Sequence, residues 1–306
     1  MQTRIEPKEL DRFRLSMLKY ALERALARYR TESEVKNDPI YFVSQYDEPL
    51  DKEVVGFIAS SFAFGNVRQF MPVIAKLLRR LSTKPAKTLL KANDSDYFEF
   101  AKGIDYRFAK EKQVGIFLMH VSRVLKRFGS LKQAFMVGYR KSHMFIDGLF
   151  SLATELRRNE QGQMSDEVKV FVPDPQKNSA MKRLCMFSRW MVRRDFPDFG
   201  LWQEVEPREL IVPLDTHVFR VMRFLGLLKG ARSPSMKTAI QATAILRQIS
   251  PDDPLRYDFA LAHLGISKDC KGYFTKNVCM ACPLEGLCVQ SQRLFYDQEA
   301  ELGIDH

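Results

Sequence analysis

The chain is 306 residues long, 45% hydrophobic and 28% charged with 15 glycines, the composition of a globular protein with ample core in one or two domains. The opening MQTRIEPKELDRFRLSML lacks the apolar centre of a signal peptide, and no later stretch approaches the apolar length that crosses a bilayer. Neither secretion by that route nor a membrane-spanning role is expected, and a cytoplasmic protein is. Against 37 acidic residues stand 48 Lys plus Arg, a net charge of +11 that suits a polyanionic partner, nucleic acid first, as well as it suits plain solubility.

Apolar residues recur at helical spacing almost throughout, and strand signals are nearly absent. LDKEVVGFIASSFAFG and NVRQFMPVIAKLLRRLS read as two helices broken at Gly65-Asn66, and KEKQVGIFLMHVSRVLKRFG as a third. SLKQAFMVGYR, MFIDGLFSLATELRR and SAMKRLCMFSRWMVRR follow, the last two separated by the polar loop NEQGQMSDE at 159–167. Beyond residue 216 come HVFRVMRFLGLL, MKTAIQATAILRQI and RYDFALAHLGI, a cysteine-rich loop, and a tail, VQSQRLFYDQEAEL, with the pattern of a last helix. There is no internal repeat and no low-complexity tract. The pattern predicts an all-α protein.

Four of the five cysteines fall within nineteen residues, Cys270, Cys279, Cys282 and Cys288, spaced C-x8-C-x2-C-x5-C. In a reducing compartment, thiolate ligation of a metal centre is favoured over disulfides. Four thiolates suit zinc or an iron–sulfur centre equally in charge and softness. Structural zinc usually uses two short paired knuckles, whereas here one Cys-x-x-Cys is flanked by unpaired cysteines, so the spacing favours a [4Fe–4S] cluster, with zinc as the alternative. Cys185 stands alone in an apolar helix and reads as a small core residue.

The segment VPLDTHVFRV (212–221) puts an acid, a hydroxyl and an imidazole ahead of an amphipathic run. Pro213 disfavours helix at Val212, so a helix should start just after it with Asp215 or Thr216 as N-cap. Val218, Val221, Met222 and Leu225 then form its buried stripe, and Gly226 ends it. A carboxylate at that position is stabilised as an anion by the exposed N–H groups. Taken alone, Asp215 is a plain cap.

FALAHLGISKDC leading into the four cysteines resembles the C-terminal cluster loop of endonuclease III and the related adenine glycosylases, whose spacing is C-x6-C-x2-C-x5-C. The last two intervals match, and the first is two residues longer here. LDTHVFRV is similar to the start of that family's helix bearing the catalytic aspartate, again upstream of the cysteines. From about residue 50 to 290 the chain thus resembles the helix-hairpin-helix DNA glycosylase superfamily (HhH-GPD), as a divergent bacterial branch. The resemblance implies a [4Fe–4S] cluster on the four cysteines and Asp215 as the anion that stabilises positive charge building on the sugar. His217 resembles the family's histidine at the same place, and on its own reads as a helix-start histidine making structural hydrogen bonds rather than as a proton shuttle.

A bifunctional glycosylase also uses an amine nucleophile. In the family a lysine opens the second helix of a hairpin written leucine-proline-glycine-valine-glycine, then a basic residue, lysine, threonine, alanine. The comparable segment here is VPDPQKNSAMKRLCMFSRWM, in which Val172-Pro173 and Ser179-Ala180 match. Asp174 and Gln176 replace the glycines, and Asn178 falls where the lysine belongs. Lys182, one turn into the helix with Arg183 beside it, is the expected nucleophile, with Lys177 as the alternative; without either, Asp215 would activate water. Lys177, Asn178 and Ser179 are expected at a DNA phosphate.

Base excision needs the base flipped out and the gap filled. ASSFAFGN stands where the family keeps its wedge, which makes Phe64 and Asn66 candidates against the plainer reading of a core ring and a helix cap. Trp190 and Trp202 suit stacking on an extruded base or, more simply, the core. Basic clusters in KLLRRLSTKPAK and MVRR face phosphate or solvent.

The expected protein is a single cooperative unit of two lobes, roughly residues 50–230 as the helix-hairpin-helix lobe and 1–49 plus 231–306 as the cluster lobe. It would be a monomeric, nucleoid-associated DNA glycosylase and AP lyase acting on double-stranded DNA with a damaged base, with no membrane partner. The alternatives are a non-catalytic DNA binder on the same scaffold and an iron–sulfur redox protein. Which base is removed is not written in the motifs.

Overall fold

In the computed structural model, which describes residues 9–266 and 269–292, the chain is built of helices, with no strand among the described residues beyond two isolated bridges. It divides into two compact units, one formed by Met1–Thr31 with Leu210–His306 and the other by Glu32–Glu209.

The first helix, α1 (Arg12–Tyr29), starts where Asp11 accepts from the Arg14 amide, and buries Leu18, Ala21, Leu22, Ala25 and Leu26 along one face. The central unit then runs through α2 (Glu32–Lys36), a 3₁₀ turn at Pro39–Gln45, α3 (Pro49–Phe62), α4 (Val67–Arg80) and α5 (Pro85–Lys91). It continues with α6 (Asp94–Ala101), α7 (Glu111–Phe128), α8 (Leu131–Ser142), α9 (Phe145–Arg157) and α10 (Lys182–Val192).

Helix α3 organises this unit. Its Val54, Phe57, Ile58 and Phe62 are essentially fully buried, and two buried carboxylates on it cap other helices. Asp51 accepts from the Ala86 amide in the first turn of α5 at 2.8 Å. Glu53 accepts from the Leu131 and Lys132 amides opening α8, at 2.8 and 2.9 Å, and from the Trp202 indole at 2.9 Å. The first N–H groups of a helix have no partner within it, so a carboxylate from elsewhere both satisfies them and fixes the helix in place. Around α3 the rings of Phe57, Phe117, Phe171 and Phe187 pack at centroid separations of 4.3 to 5.6 Å. Trp190 and Trp202 are each 1% exposed and belong to this core, which removes both as base-stacking surfaces. Cys185 is fully buried there as well.

Between α9 and α10 the hairpin of the sequence analysis is lopsided. Only its second helix forms; residues 166–172 make a single turn closed by Val172 N to Val168 O at 2.9 Å. The polar loop 159–167 folds back through the Arg158–Met164 bridge.

The chain then enters the other unit with α11 (Thr216–Phe224), α12 (Met236–Ile249), α13 (Asp258–Ile266) and the short α14 (Lys276–Cys279). Helix α1 packs against α12 and α13, and α11 against α13. Beside the start of α13, Glu23 of α1 takes a two-pronged bond from Arg256 at 2.9 and 3.2 Å and one from Tyr257 at 2.8 Å. The unit boundaries therefore fall at 31/32 and 209/210 rather than near 50 and 230, and Asp215 goes with α1 and the cysteine loop. The expected last helix is formed at 289–292, and the rest of that segment lies outside the described residues.

Candidate functional site

Asp215 is extended (φ −104°) and caps α11: its Oδ1 accepts from the His217 and Val218 amides at 2.9 and 2.8 Å. The expected stripe of Val218, Val221, Met222 and Leu225 is buried, which orients the helix and leaves Asp215 half-buried at its tip. His217 lies against Gly265 of α13, whose added Cβ would stand 2.8 Å from that of His217.

Arg220, one turn further along, reaches from α11 to the cysteine loop. Its Nη2 is 3.4 Å from His217 Nδ1 and donates to the Cys270 carbonyl at 3.4 Å. Its Nε is buried with no acceptor among the described residues. Arg220 was not among the expected site residues; its spacing three residues after His217, on the same face of the helix, is the signal the sequence carries for it.

All four loop cysteines line one cavity, together with Phe224, Tyr273 and Ser291. Each is half-buried, and α14 delivers Cys279 at its end, where the sulfur accepts from the Thr275 amide at 3.4 Å. Burial, helped by the three neighbouring thiols, pushes Cys282 up to about 11, and burial also raises Cys288. Four soft donors around one cavity fit a thiolate-bound metal centre in chemistry. Among the described residues no three His, Cys, Asp or Glu side chains converge closely enough to hold an ion as they stand.

Lys182 is the first residue of α10, a turn earlier in the helix than expected, and is half-buried. Met181 before it is 2% exposed and left-handed (φ 47°), and no side chain caps the helix. Lys177 and Asn178 are exposed on a turn closed by Lys177 N to Asp174 O at 3.1 Å, while the Ser179 hydroxyl accepts from the Met181 amide at 3.2 Å. Arg183 donates to the Ser61 carbonyl at 2.8 Å and lies over the Phe64 ring at 5.2 Å. Burial pushes its guanidinium down to about 10.

Phe64 is held on a second side by the Tyr106 ring at 5.1 Å. Asn66 is exposed but engaged, its Oδ1 capping α4 through the Arg68 amide at 2.9 Å. The basic clusters are partly committed too. Lys76 and Arg80 bond the Gly103 and Phe100 carbonyls at the end of α6, and Arg193 is buried against Asp198. Arg193 is thereby withdrawn from phosphate and solvent, whereas Lys76 and Arg80, each with a protein partner, are half-buried.

The fold and site thus define a helical protein with a four-thiol cavity beside a carboxylate-capped helix; among the described residues no helix is long and apolar enough to cross a membrane. The chain belongs to the family described as protein of unknown function (DUF2400), which matches residues 38–267. The matched span contains Lys182 and Asp215 and ends just before Cys270. No curated protein matches the chain.

Proposed function

We propose that this protein is a helix-hairpin-helix DNA glycosylase that removes a damaged base from double-stranded DNA, with an AP-lyase step. What supports the reading most is that the four cysteines line one cavity in the unit whose α11 opens with Asp215, and that Arg220 runs from that helix to the Cys270 carbonyl.

In this reading Asp215, anchored through Oδ1 by two backbone N–H groups, is a fixed anion for the positive charge that builds on the sugar as the base leaves. The Lys182 amine attacks the sugar C1′ as the base leaves with the electrons of the glycosidic bond. Loss of the amine protons, one of them to O4′ as the C1′–O4′ bond opens, gives an imine, and removal of a C2′ proton then expels the 3′ phosphate by β-elimination. Lys177 and Asn178 meet the DNA backbone from their exposed turn. Cys270, Cys279, Cys282 and Cys288 would hold a [4Fe–4S] cluster, which supplies a rigid anchor for the basic loop around it. The cytoplasm, at the nucleoid, is the place such an enzyme works.

Borohydride trapping on duplexes each carrying one damaged base or an abasic site tests the proposal. A covalent product with the wild type and none with Lys182→Ala supports lyase chemistry at Lys182. Base release without trapping, abolished by Asp215→Asn, makes the enzyme monofunctional. Tight DNA binding with neither product favours the non-catalytic scaffold, a second reading that the single-turn first arm of the hairpin specifically supports.

A further inference from the structure

The inference rests on the DNA reading above and concerns the turn between α6 and α7. Tyr106, Arg107, Phe108 and Ala109 form a two-residue turn closed by Tyr106 N to Ala109 O at 3.0 Å and Ala109 N to Tyr106 O at 2.8 Å. The two base residues are buried and the two tip residues exposed. Phe108 is 68% exposed, the most exposed large apolar side chain among the described residues of the central unit. Arg107 is left-handed (φ 53°), a backbone conformation disfavoured for any residue with a side chain.

The turn is fixed to the residues beside Lys182. The Tyr106 hydroxyl donates to the Phe64 carbonyl, and its ring packs on Phe64 at 5.1 Å. Phe64 in turn carries the Arg183 guanidinium, and Arg183 follows Lys182 in α10. Arg107 lies over Gly65 so closely that a Cβ there would come within 2.5 Å of its Nη1, and Gly65 itself needs a left-handed φ of 83°. The one acid adjoining the turn, Asp105, is paired with Lys110 at 2.7 Å.

An apolar ring held in water by a strained, tied turn, with a guanidinium 5.8 Å from its centre, matches a stacked base flanked by phosphate. Aromatic rings stack on bases of any sequence, and arginine adds charge complementarity to the backbone. We propose that Phe108 fills the gap left when a base leaves the DNA stack, with Arg107 meeting the adjacent phosphate. Phe64, covered by Arg183 and Tyr106, is then the mount for this finger and not the wedge itself.

The test uses the full-length protein and two duplexes, one intact and one carrying a tetrahydrofuran abasic-site analogue flanked by 2-aminopurine. Wild type is expected to bind the abasic duplex more tightly and to change its 2-aminopurine fluorescence. Phe108→Ala should bind that duplex about tenfold less tightly, within the range set by losing one ring–base stack, and leave the fluorescence unchanged. Phe108→Trp should retain both signals. Because the tip is exposed, all three proteins should melt at the same temperature. Equal binding and fluorescence for wild type and Phe108→Ala would overturn the assignment of Phe108 alone. A wild type that binds neither duplex would overturn the DNA reading and the inference together.

Discussion

The guanidinium of Arg220 and the backbone of Gly272 are in contact: a Cβ on the glycine would stand 2.9 Å from Nη1 and 3.0 Å from Cζ. Gly272 also has a left-handed φ of 83°, so two independent constraints demand glycine there. Gly272→Ala is expected to cost about 1–2 kcal/mol through the backbone alone, more if the guanidinium is displaced from Cys270. Thermal unfolding of the purified protein checks this. A midpoint equal to wild type would mean that the cysteine loop adjusts freely around Arg220, and that contact would lose its claim to tie the loop to α11.

Asp215 has two separable jobs. As an N-cap it is replaceable by asparagine, which accepts the same backbone bonds, whereas alanine costs about 1 kcal/mol. As the charge-stabilising group of the proposed glycosylase it tolerates neither. Asp215→Asn is therefore expected to keep the wild-type unfolding midpoint while losing about 100- to 1000-fold in single-turnover base release, and Asp215→Ala to lose both. Retained base release in a well-folded Asp215→Asn protein would reduce this residue to a cap.

The start of α11 was legible because its signals are local: Pro213, a capping acid and an apolar stripe all sit within a dozen residues. The break between α3 and α4 at Gly65-Asn66 was legible for the same reason. Helices α5 and α6 were not, because they are seven and eight residues long, and the carboxylate that caps α5 comes from Asp51, 35 residues away. The division of the chain was misplaced because it depends on which partner α1 packs against, and an amphipathic helix does not name its partner. The cysteines were visible as a spacing, yet Arg220 was not, since a cation three residues beyond a histidine is a common surface pattern. The Tyr106–Ala109 turn carries no glycine, proline or asparagine to announce it; only the backbone conformation of Arg107 does.

Glu53 is a second place where one side chain holds distant parts together. Its two oxygens accept three N–H groups from α8 and Trp202, and burial holds its carboxyl above the usual range despite those bonds. Glutamine keeps one acceptor oxygen but turns an amide N–H toward a backbone N–H, leaving buried donors unanswered. Glu53→Gln is expected to destabilise by about 2–3 kcal/mol, read as a lower urea midpoint at unchanged slope. A loss below about 0.5 kcal/mol, the ordinary range for surface substitutions, would show that α8 docks without this carboxylate.

His120 should make the central unit sensitive to acid. It sits on α7, 5% exposed, with Nδ1 donating to the Leu156 carbonyl of α9 at 2.8 Å. Burial holds its pKa below 6.5, with nearby Arg123 lowering it further against the opposing effects of the Leu156 bond and Glu167. The unfolded chain then binds a proton near pH 6.5 that the folded chain refuses until lower pH. Stability is thus fully present above about pH 6.5 and falls as pH drops from there toward the folded pKa, at no more than about 1.4 kcal/mol per pH unit from this group. His120→Asn, whose amide can still donate to Leu156, should remove that slope while other groups keep theirs. Urea midpoints at pH 7.5 and 5.5 for the two proteins measure the difference, and identical pH dependence would mean that the imidazole takes up its proton as readily folded as unfolded.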